Sequence, residues 1–459
     1  MTEQRWLGPA QQNRRYFTLG TGETFIPIGQ NFCFHRLADQ LGEEEVLATY
    51  RHWLGAFAAQ GGNFTRIWLG VPFFNVMPER LGEFSERNLG HIRAVVAMAE
   101  EFGVKIKFTV EHFRSVQPPA QPVAESFPGV ISFLQPLYSP ERGGSCRSMA
   151  EFFGSDAGRA AYLAKLRYLA AAGLGETPAV VAWELWNEIN STGELAIWRE
   201  WSDQMLAALH EIFPRQLALQ NLGSFSGSTA YRCYDYLGAL AGTDFLQVHR
   251  YLDPGAELDI CRGPMDVLCA DAIGQLRRRC SDKPAVLAEG GAVEANHARY
   301  SRLYEKDREG TLLHDVLFAP FFAGSAGSGQ CWHWDHLYLD KHDLYWHFGR
   351  FARAVAGVDP IAEDFQPYYT ETHALRVYGL RGRRMDLLWC RDKASDWRSE
   401  LDEDRPAADL RGLSVPVDDA SSCQAYAPWT DSEEELSLRN SRSALLPPFR
   451  RSLVLRVRH

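Results

Sequence analysis

The sequence lacks the features that would tie it to a membrane or to a polyanionic partner. No uninterrupted apolar run approaches the roughly 18 residues that a membrane helix requires, and the first twenty residues contain no apolar signal-peptide core. Basic residues are in the minority, since 48 Lys and Arg face 58 Asp and Glu, which gives a net charge of −10. Such a surface has little with which to neutralise nucleic acid or an anionic membrane. We expect neither as a partner, and the sequence does not indicate an oligomeric state.

Cysteine pairs of the kind used in zinc or redox sites are also missing. The nine cysteines are scattered from Cys33 to Cys423, and none forms a C-x-x-C spacing. We expect reduced, mostly buried thiols. Together with the missing signal-peptide pattern, this predicts a cytoplasmic protein.

What the chain does contain is a regular alternation of two patterns. Between about residues 25 and 356, short apolar runs rich in Val, Ile, Phe and Trp alternate with longer helical patterns, which predicts βα units around a parallel sheet. Eight runs qualify as strands, and they begin at Phe25, Phe64, Lys105, Val180, Leu217, Asp244, Lys283 and Gly329. Eight is the number that closes a (β/α)8 barrel.

The helical pattern stops after about residue 360, where alternating segments such as THALRVYGLRG and RSLVLRVRH indicate antiparallel strands. We therefore predict an α/β protein, with a (β/α)8 TIM barrel over residues 1–357 and a small C-terminal β-sandwich-like domain over residues 358–459. A long stretch rich in Pro and Gly, from Arg114 to Met149, follows the third strand. It would reach the barrel mouth as a wall or lid of a cleft, or else be a simple insertion.

Two glutamates at predicted strand ends are the candidate catalytic residues. Glu188 ends the fourth strand in WELWNEIN, and Glu289 ends the seventh in VLAEGG, so both would point into one barrel mouth. Retaining cleavage of a glycosidic bond needs two carboxyl groups about 5 to 5.5 Å apart, one as acid/base and one as nucleophile. Glu184 and Glu111 are competing acids on strands, and Glu184 is interpreted as a buried partner of an arginine.

The run Trp186-Asn187-Glu188, with the later Glu289, resembles the clan A glycoside hydrolases, most closely glycoside hydrolase family 5. The resemblance implies that Glu188 is the acid/base and Glu289 the nucleophile. It further implies that Arg66 supports the nucleophile and that Asn187 binds the sugar 2-hydroxyl. Four other strand-end residues match the family, and the resemblance implies that they help to bind the substrate: His112, His249, Tyr251 and Trp332.

Several of these residues have a second interpretation. A structural ion pair is the competing interpretation of Arg66, and Trp183 is interpreted as packing. Trp332 and Trp334 offer flat faces for a sugar ring. The group His333, Asp335 and His336 has metal-binding side chains but no spaced partner pair, so we predict polar loop residues, no metal and no cofactor. Strict alternation would put Asn187 and Glu188 on opposite faces, so a twist or bulge is expected there.

The predicted function is a retaining glycosidase that acts on β-glycosidic bonds by double displacement. Exo-action on β-mannosides or β-glucosides of short oligosaccharides is favoured. An endo-β-1,4-mannanase or a cellulase-like endoglycanase is the alternative with the same chemistry. A non-catalytic sugar-binding barrel is the alternative of another class, and it is disfavoured because binding alone does not require both carboxylates. The C-terminal domain is expected to brace the barrel.

Overall fold

The computed structural model describes residues 6–112, 137–439 and 442–459. Its centre is a ring of parallel strands. Five strands form one sheet in chain order, namely Gly29–Asn31, Phe64–Trp68, Lys105–His112, Val180–Asn187 and Leu217–Leu219. The next two strands, Leu246–Leu252 and Ala285–Ala292, pair with each other in parallel. The eighth position is filled by the segment at Cys331, which forms a single parallel bridge with Gly290.

Hydrogen bonds between these sheets close the ring. The backbone N–H of Asp244 donates to the carbonyl of Ala218 at 3.0 Å and so joins the fifth strand to the sixth. A fully buried glutamine joins the eighth position to the first, because Gln30 Nε2 donates to the Cys331 carbonyl at 2.7 Å. The Cys331 backbone N–H donates in return to Gln30 Oε1 at 3.2 Å. The predicted (β/α)8 barrel is confirmed, with its eighth strand shortened to a bridge.

Helices cover the outside of this ring, and most of the longer ones bury apolar residues at helical spacing on one face. Trp198, Trp201 and Met205 of one helix illustrate this, since all three are buried. The helices are Glu43–Ala59, Glu86–Phe102, Met149–Gly154, Asp156–Ala171, Leu195–Ile212, Ala230–Ala239, Met265–Arg279, Leu303–Lys306, Thr311–Phe322, Trp346–Ala354 and Pro360–Glu363. In the three described ranges, every helix is too short or too polar to span a bilayer.

A small antiparallel sheet covers the lower end of the barrel. Its strands are Leu7–Pro9, Phe17–Leu19 and Thr24–Phe25. Their buried side chains form a cluster with residues at the beginnings of barrel strands, such as Phe64 and Leu217. The run predicted as one strand from Phe25 is therefore divided between this sheet and the first barrel strand. The opposite end, where the barrel strands finish, stays free for a site.

The residues that follow the barrel form the expected antiparallel sheet. Its six strands lie in the order Gln366–Glu371, Leu375–Arg381, Met385–Asp392, Ser452–Arg458, Ser422–Ala427 and Ser432–Glu435. Two small sheets complete the unit, one of Asp409–Leu410 with Phe449–Arg450, and one of Ser414–Pro416, Ser443–Leu445 and Leu438–Arg439. An apolar core of its own lies between these sheets. The C-terminal β-domain is confirmed, and a boundary at residue 357 stays a prediction.

Buried ion pairs fix this sheet to two barrel helices. Arg391 Nε contacts Asp315 Oδ1 at 2.8 Å, and both side chains are almost fully buried. Arg376 Nε contacts Asp266 Oδ2 at 2.5 Å in the same way. Because both carboxylates belong to barrel helices and both guanidinium groups to sheet strands, the sheet is positioned to brace the barrel wall.

Candidate active site

A cavity of about 600 Å³ opens where the barrel strands end. This volume lies within the range of sites for small organic ligands. One side is lined by residues at strand ends, namely Trp68, Asn187, Glu188, Tyr251, Glu289 and Trp332. The other side is lined by loop residues, among them Ser224, Ser226, Asp253, Glu257 and His297. The cavity is thus built where catalytic residues of TIM barrels usually lie.

Glu188 and Glu289 meet in this cavity, although 101 residues separate them in the chain. One oxygen of each carboxyl and a ring nitrogen of His249 all lie within 4.8 Å of one another. The side chain of Glu188 is 15% exposed and that of Glu289 is 3% exposed. Two carboxyl groups at this separation and with this access can act on one bond of a bound molecule.

The backbone at Glu188 explains how two neighbouring residues both reach the cavity. The fourth strand ends at Asn187, and Glu188 then adopts φ 51 and ψ 52, in the left-handed region. A residue other than glycine in this conformation costs about 1 to 3 kcal/mol and persists only where its surroundings hold it. Here the backbone N–H of Glu188 donates to Asn221 Oδ1 at 2.7 Å. A left-handed residue, rather than the expected bulge, therefore turns Glu188 inward.

Arg66 connects the residues beneath the cavity. Its guanidinium group contacts Glu289 Oε1 and Glu184 Oε1, and it donates to Asn187 Oδ1 at 2.6 Å. Its Nε donates to the hydroxyl of Thr109 at 3.0 Å. Since Arg66 is fully buried, one permanent cation holds both the second glutamate and the asparagine in place.

Glu184 belongs to the layer below and does not line the cavity. Besides Arg66, it contacts Lys107 Nζ at 3.0 Å and accepts a hydrogen bond from Gln247. Burial opposes its ionisation, but the charges of Arg66 and Lys107 lower the pKa of Glu184 below its ordinary value. Burial in turn lowers the pKa of Lys107 to about 8. The interpretation of Glu184 as the buried partner of an arginine is confirmed.

Glu289 has three polar neighbours within the described ranges. Besides Arg66, Tyr251 donates its hydroxyl to Glu289 Oε2 at 2.6 Å, and His249 Nδ1 lies 3.2 Å from the same oxygen. Burial raises the pKa of Glu289 to about 7, and the Arg66 charge and the Tyr251 hydroxyl limit that rise. Arg66 and Tyr251 therefore favour the ionised carboxylate that an attacking group requires.

Among the residues that the structure describes, Glu188 has no such cation in contact. Its carboxyl accepts from His249 Nδ1 at 2.8 Å. Burial, and after it the negative charge of Glu289, raise the pKa of Glu188 well above its ordinary value. Of the two carboxyl groups, Glu188 is therefore the one whose surroundings favour the protonated form, which a proton donor requires.

Aromatic side chains form one wall of the cavity. Trp332 and Trp68 both line it, and their ring centroids lie 5.1 Å apart. His112 stacks on Trp68 at 4.7 Å, so it supports this wall from behind. Trp334 is fully buried and packs edge-on against Trp332 at 5.1 Å outside the cavity lining. The expectation that Trp334 faces a sugar is therefore corrected: the chain leaves strand geometry after Cys331, so residues two apart do not share a face.

Histidines near the cavity have protein partners. His333 Nδ1 lies 3.0 Å from the Tyr304 hydroxyl, and Asp335 forms a buried ion pair with Arg36 at 2.7 Å. These partners fit the prediction that this loop is polar rather than metal-binding. The trio of His249 with the two glutamates has a spacing that would also suit an ion. Arg66 already places a permanent positive charge against that trio.

Residues that the sequence analysis missed come from the loops after strands five, six and seven. Asn221 contacts Glu188, and Asp253, Ser224 and His297 line the cavity. Burial lowers the pKa of His297 to about 4, so this ring is neutral, and it packs edge-on against Tyr251 at 4.5 Å. Asn221 lies just after the fifth strand, as Asn187 lies at the end of the fourth, and this similar position is the signal that could have identified it.

Most of the loop predicted as a wall or lid lies outside the described residues, which resume at 137. From there, Tyr138 donates its hydroxyl to Glu111 Oε1 at 2.7 Å, and Lys165 also contacts Glu111. The contact of Tyr138 binds the described end of the loop to the third strand, and that of Lys165 joins the following helix to the same residue. Glu111 is thus buried, is paired with Tyr138 and Lys165, and does not line the cavity.

Comparison with solved structures gives glycoside hydrolases as neighbours. The chain is similar to a glycoside hydrolase family 5 protein from Bacteroides vulgatus ATCC 8482, with a TM-score of 0.62, 14% identity, and coverage of 99% of this chain and 93% of that one. It is also similar to an exo-beta-1,4-mannosidase from Opitutaceae bacterium strain TAV5, with a TM-score of 0.53, 19% identity, and coverage of 74% and 61%. An endo-beta-1,4-mannanase from Thermotoga petrophila has a TM-score of 0.50, 14% identity, and coverage of 95% and 98%.

No protein-family model matches the sequence, and a search of curated proteins gives no match. At identities this low, the structural likeness shows a shared fold. It confirms the barrel architecture that the resemblance to glycoside hydrolase family 5 implies.

Proposed function

We propose that this protein is a retaining glycoside hydrolase that cleaves β-glycosidic bonds by double displacement. The observation that supports this most directly is the pairing of Glu188 with Glu289, whose nearest carboxyl oxygens lie within 4.8 Å. Retaining enzymes place their carboxyl groups about 5 to 5.5 Å apart, whereas inverting enzymes leave about 6.5 to 9.5 Å for a water molecule. The separation here favours direct attack by a carboxylate.

In the first step, a carboxylate oxygen of Glu289 forms a bond to the anomeric carbon as the glycosidic C–O bond breaks. Glu188 gives its proton to the leaving oxygen. In the second step, Glu188 takes a proton from water, whose oxygen attacks the anomeric carbon and releases Glu289. Arg66 and Tyr251 orient Glu289 for both steps, through the contacts described above.

We propose exo-action on β-mannosides or β-glucosides of short oligosaccharides as the substrate preference. A cavity of about 600 Å³ with an aromatic wall suits a small number of sugar rings. Among the neighbours, one is named an exo-beta-1,4-mannosidase and another an endo-beta-1,4-mannanase. A product time course on manno- and cello-oligosaccharides distinguishes these modes, because exo-action releases only monosaccharide whereas endo-action produces early mid-chain fragments.

A cytoplasmic location is proposed alongside this activity. All nine cysteines are free and eight of them are buried, which is compatible with a reducing compartment. Fractionation of cells that produce the protein would test the location, and recovery outside the cytoplasm would contradict it.

The decisive experiment removes each carboxyl in turn and supplies azide. Glu289→Ala should lose turnover of an aryl β-glycoside, and azide should restore part of it by giving the glycosyl azide of inverted configuration. Glu188→Ala should instead yield the azide of retained configuration, because Glu289 still forms the covalent intermediate.

Full activity of Glu289→Ala would refute the assignment. If the unchanged protein binds sugars in calorimetry but turns over no glycoside of a broad panel, the sugar-binding alternative replaces the enzyme. Matched melting temperatures for both variants and the unchanged protein control for misfolding.

A further inference from the structure

We propose that Asn221 is a positioning residue that, through His249, directs the transferable proton of Glu188 to its oxygen Oε2. The inference rests on the proposed function, in which Glu188 is the acid. It concerns a residue of the fifth strand end that takes no part in lining the cavity. Three hydrogen bonds carry it, and they run from the backbone of Glu188 back to the carboxyl of the same residue.

The first bond fixes the orientation of the Asn221 amide. Asn221 is fully buried, and its Oδ1 accepts the backbone N–H of Glu188 at 2.7 Å. A backbone N–H can only donate, so the amide oxygen must face Glu188. The amide NH2 group then faces His249, where Nδ2 lies 3.0 Å from Nε2.

The second bond fixes the tautomer of His249. Because the Asn221 NH2 group can only donate, Nε2 of the ring must accept and carries no proton. His249 is fully buried, and burial lowers its pKa well below the ordinary value, an effect to which Arg66 and Lys107 add. The ring is therefore neutral and carries its one proton on Nδ1.

The third bond decides which oxygen of Glu188 carries the acidic proton. His249 Nδ1–H donates to Glu188 Oε1 at 2.8 Å, so a proton on Oε1 would oppose another proton. Oε2 makes no hydrogen bond within the described ranges, and the Glu188 side chain lines the cavity. The proton thus resides on the oxygen that a leaving group can reach.

The same three hydrogen bonds connect the left-handed backbone of Glu188 to proton transfer from its carboxyl group. Loss of Asn221 removes the acceptor that holds Glu188 at φ 51, and it also frees His249 to move its proton to Nε2. A bare Nδ1 would then accept the Glu188 proton at Oε1 and draw it away from the substrate. The loss should therefore appear only where protonation of the leaving group matters.

The first test is the NMR spectrum of the unchanged protein labelled with 15N-histidine. The structure requires a bare Nε2 and a protonated Nδ1 for His249, identified by the loss of its signals in His249→Gln. A neutral ring with the proton on Nε2, or a doubly protonated ring at pH 7, would overturn the proposal. This result does not depend on activity, so it stands apart from any failure of the proposed function.

The second test compares two leaving groups in Asn221→Ala. The value of kcat/KM for an oligosaccharide, whose alcohol must be protonated, should fall by about tenfold or more, as expected for a misdirected general acid. For a dinitrophenyl glycoside, whose leaving group needs no proton, it should change by less than about threefold. Equal losses on both substrates would reduce Asn221 to a structural role and overturn the proposal.

A buried asparagine elsewhere provides the matched control. Both amide atoms of Asn75 bond to the backbone of Met77, and Asn75 does not line the cavity. Asn75→Ala should carry a similar cost in stability but leave the ratio of the two kcat/KM values unchanged. A ratio that moves as far in this control as in Asn221→Ala would also overturn the proposal.

Discussion

Replacement of Arg66 by methionine tests how the barrel prepares its attacking carboxylate. The variant removes the permanent charge that contacts Glu289 and leaves the Tyr251 hydroxyl as a direct donor to it. Burial already raises the pKa of Glu289 to about 7 with Arg66 in place. Without the cation, a smaller fraction of Glu289 is ionised at neutral pH. The protonated carboxyl group cannot attack the anomeric carbon.

The size of this effect follows from the contact. A neighbouring arginine lowers the pKa of a carboxyl group by about 1 to 3 units, so the acidic limb of the pH profile should move up by about the same number of pH units. At pH 7, where about half of Glu289 is ionised with Arg66 in place, this corresponds to a loss in kcat/KM of about fivefold to five hundredfold. Activity should return as the pH is raised, because Glu289 then ionises without the help of Arg66.

The assay is kcat/KM against pH on a dinitrophenyl glycoside, whose leaving group does not need Glu188. Arg391→Met is the matched control, because Arg391 is also fully buried and paired with a carboxylate, but at the junction with the C-terminal sheet. If Arg66→Met lowers the rate without moving the acidic limb, or if the control moves the limb as well, the electrostatic reasoning is wrong.

Three further variants test the junction with the C-terminal sheet and the aromatic wall of the cavity. Arg391→Met should destabilise the protein by about 3 to 5 kcal/mol, since Asp315 remains buried without its partner, and chemical denaturation measures this. Unchanged stability would show that the junction is not held by that pair. Trp332→Ala should lower kcat/KM by about tenfold to a hundredfold, because about 2 kcal/mol of aromatic contact with the sugar is lost. Trp334→Phe should leave kcat/KM nearly unchanged, and equal losses in both variants would contradict the assignment of the wall.

The sequence predicted the parts of the site that depend on strand ends. Alternation of apolar runs placed Glu188 and Glu289 at the ends of strands four and seven, and closure of a parallel barrel brings such ends together. Arg66 and Tyr251 reach the second glutamate for the same reason. The place of these residues in the site follows from their position on a strand alone, without knowledge of their contacts.

The rest of the site depends on contacts that alternation does not encode. The left-handed backbone at Glu188 is held by Asn221, a residue 33 positions further along the chain. Trp334 faces away from the cavity because the eighth strand ends at a single bridge. That bridge in turn requires the buried side chain of Gln30, which replaces backbone pairing. Long-range partners of this kind are invisible to a local pattern.

The junction between barrel and C-terminal sheet bears on how this architecture can be cut or recombined. A barrel expressed without the sheet would lack the arginine partners of Asp266 and Asp315. It would also expose the apolar faces of their helices that the sheet covers in the intact protein. Loss of Trp389, which belongs to the sheet, would expose the rings of Phe318 and Phe322. Truncation or transplantation of either half should therefore yield aggregated protein, so the two halves have to be produced together despite their separate cores.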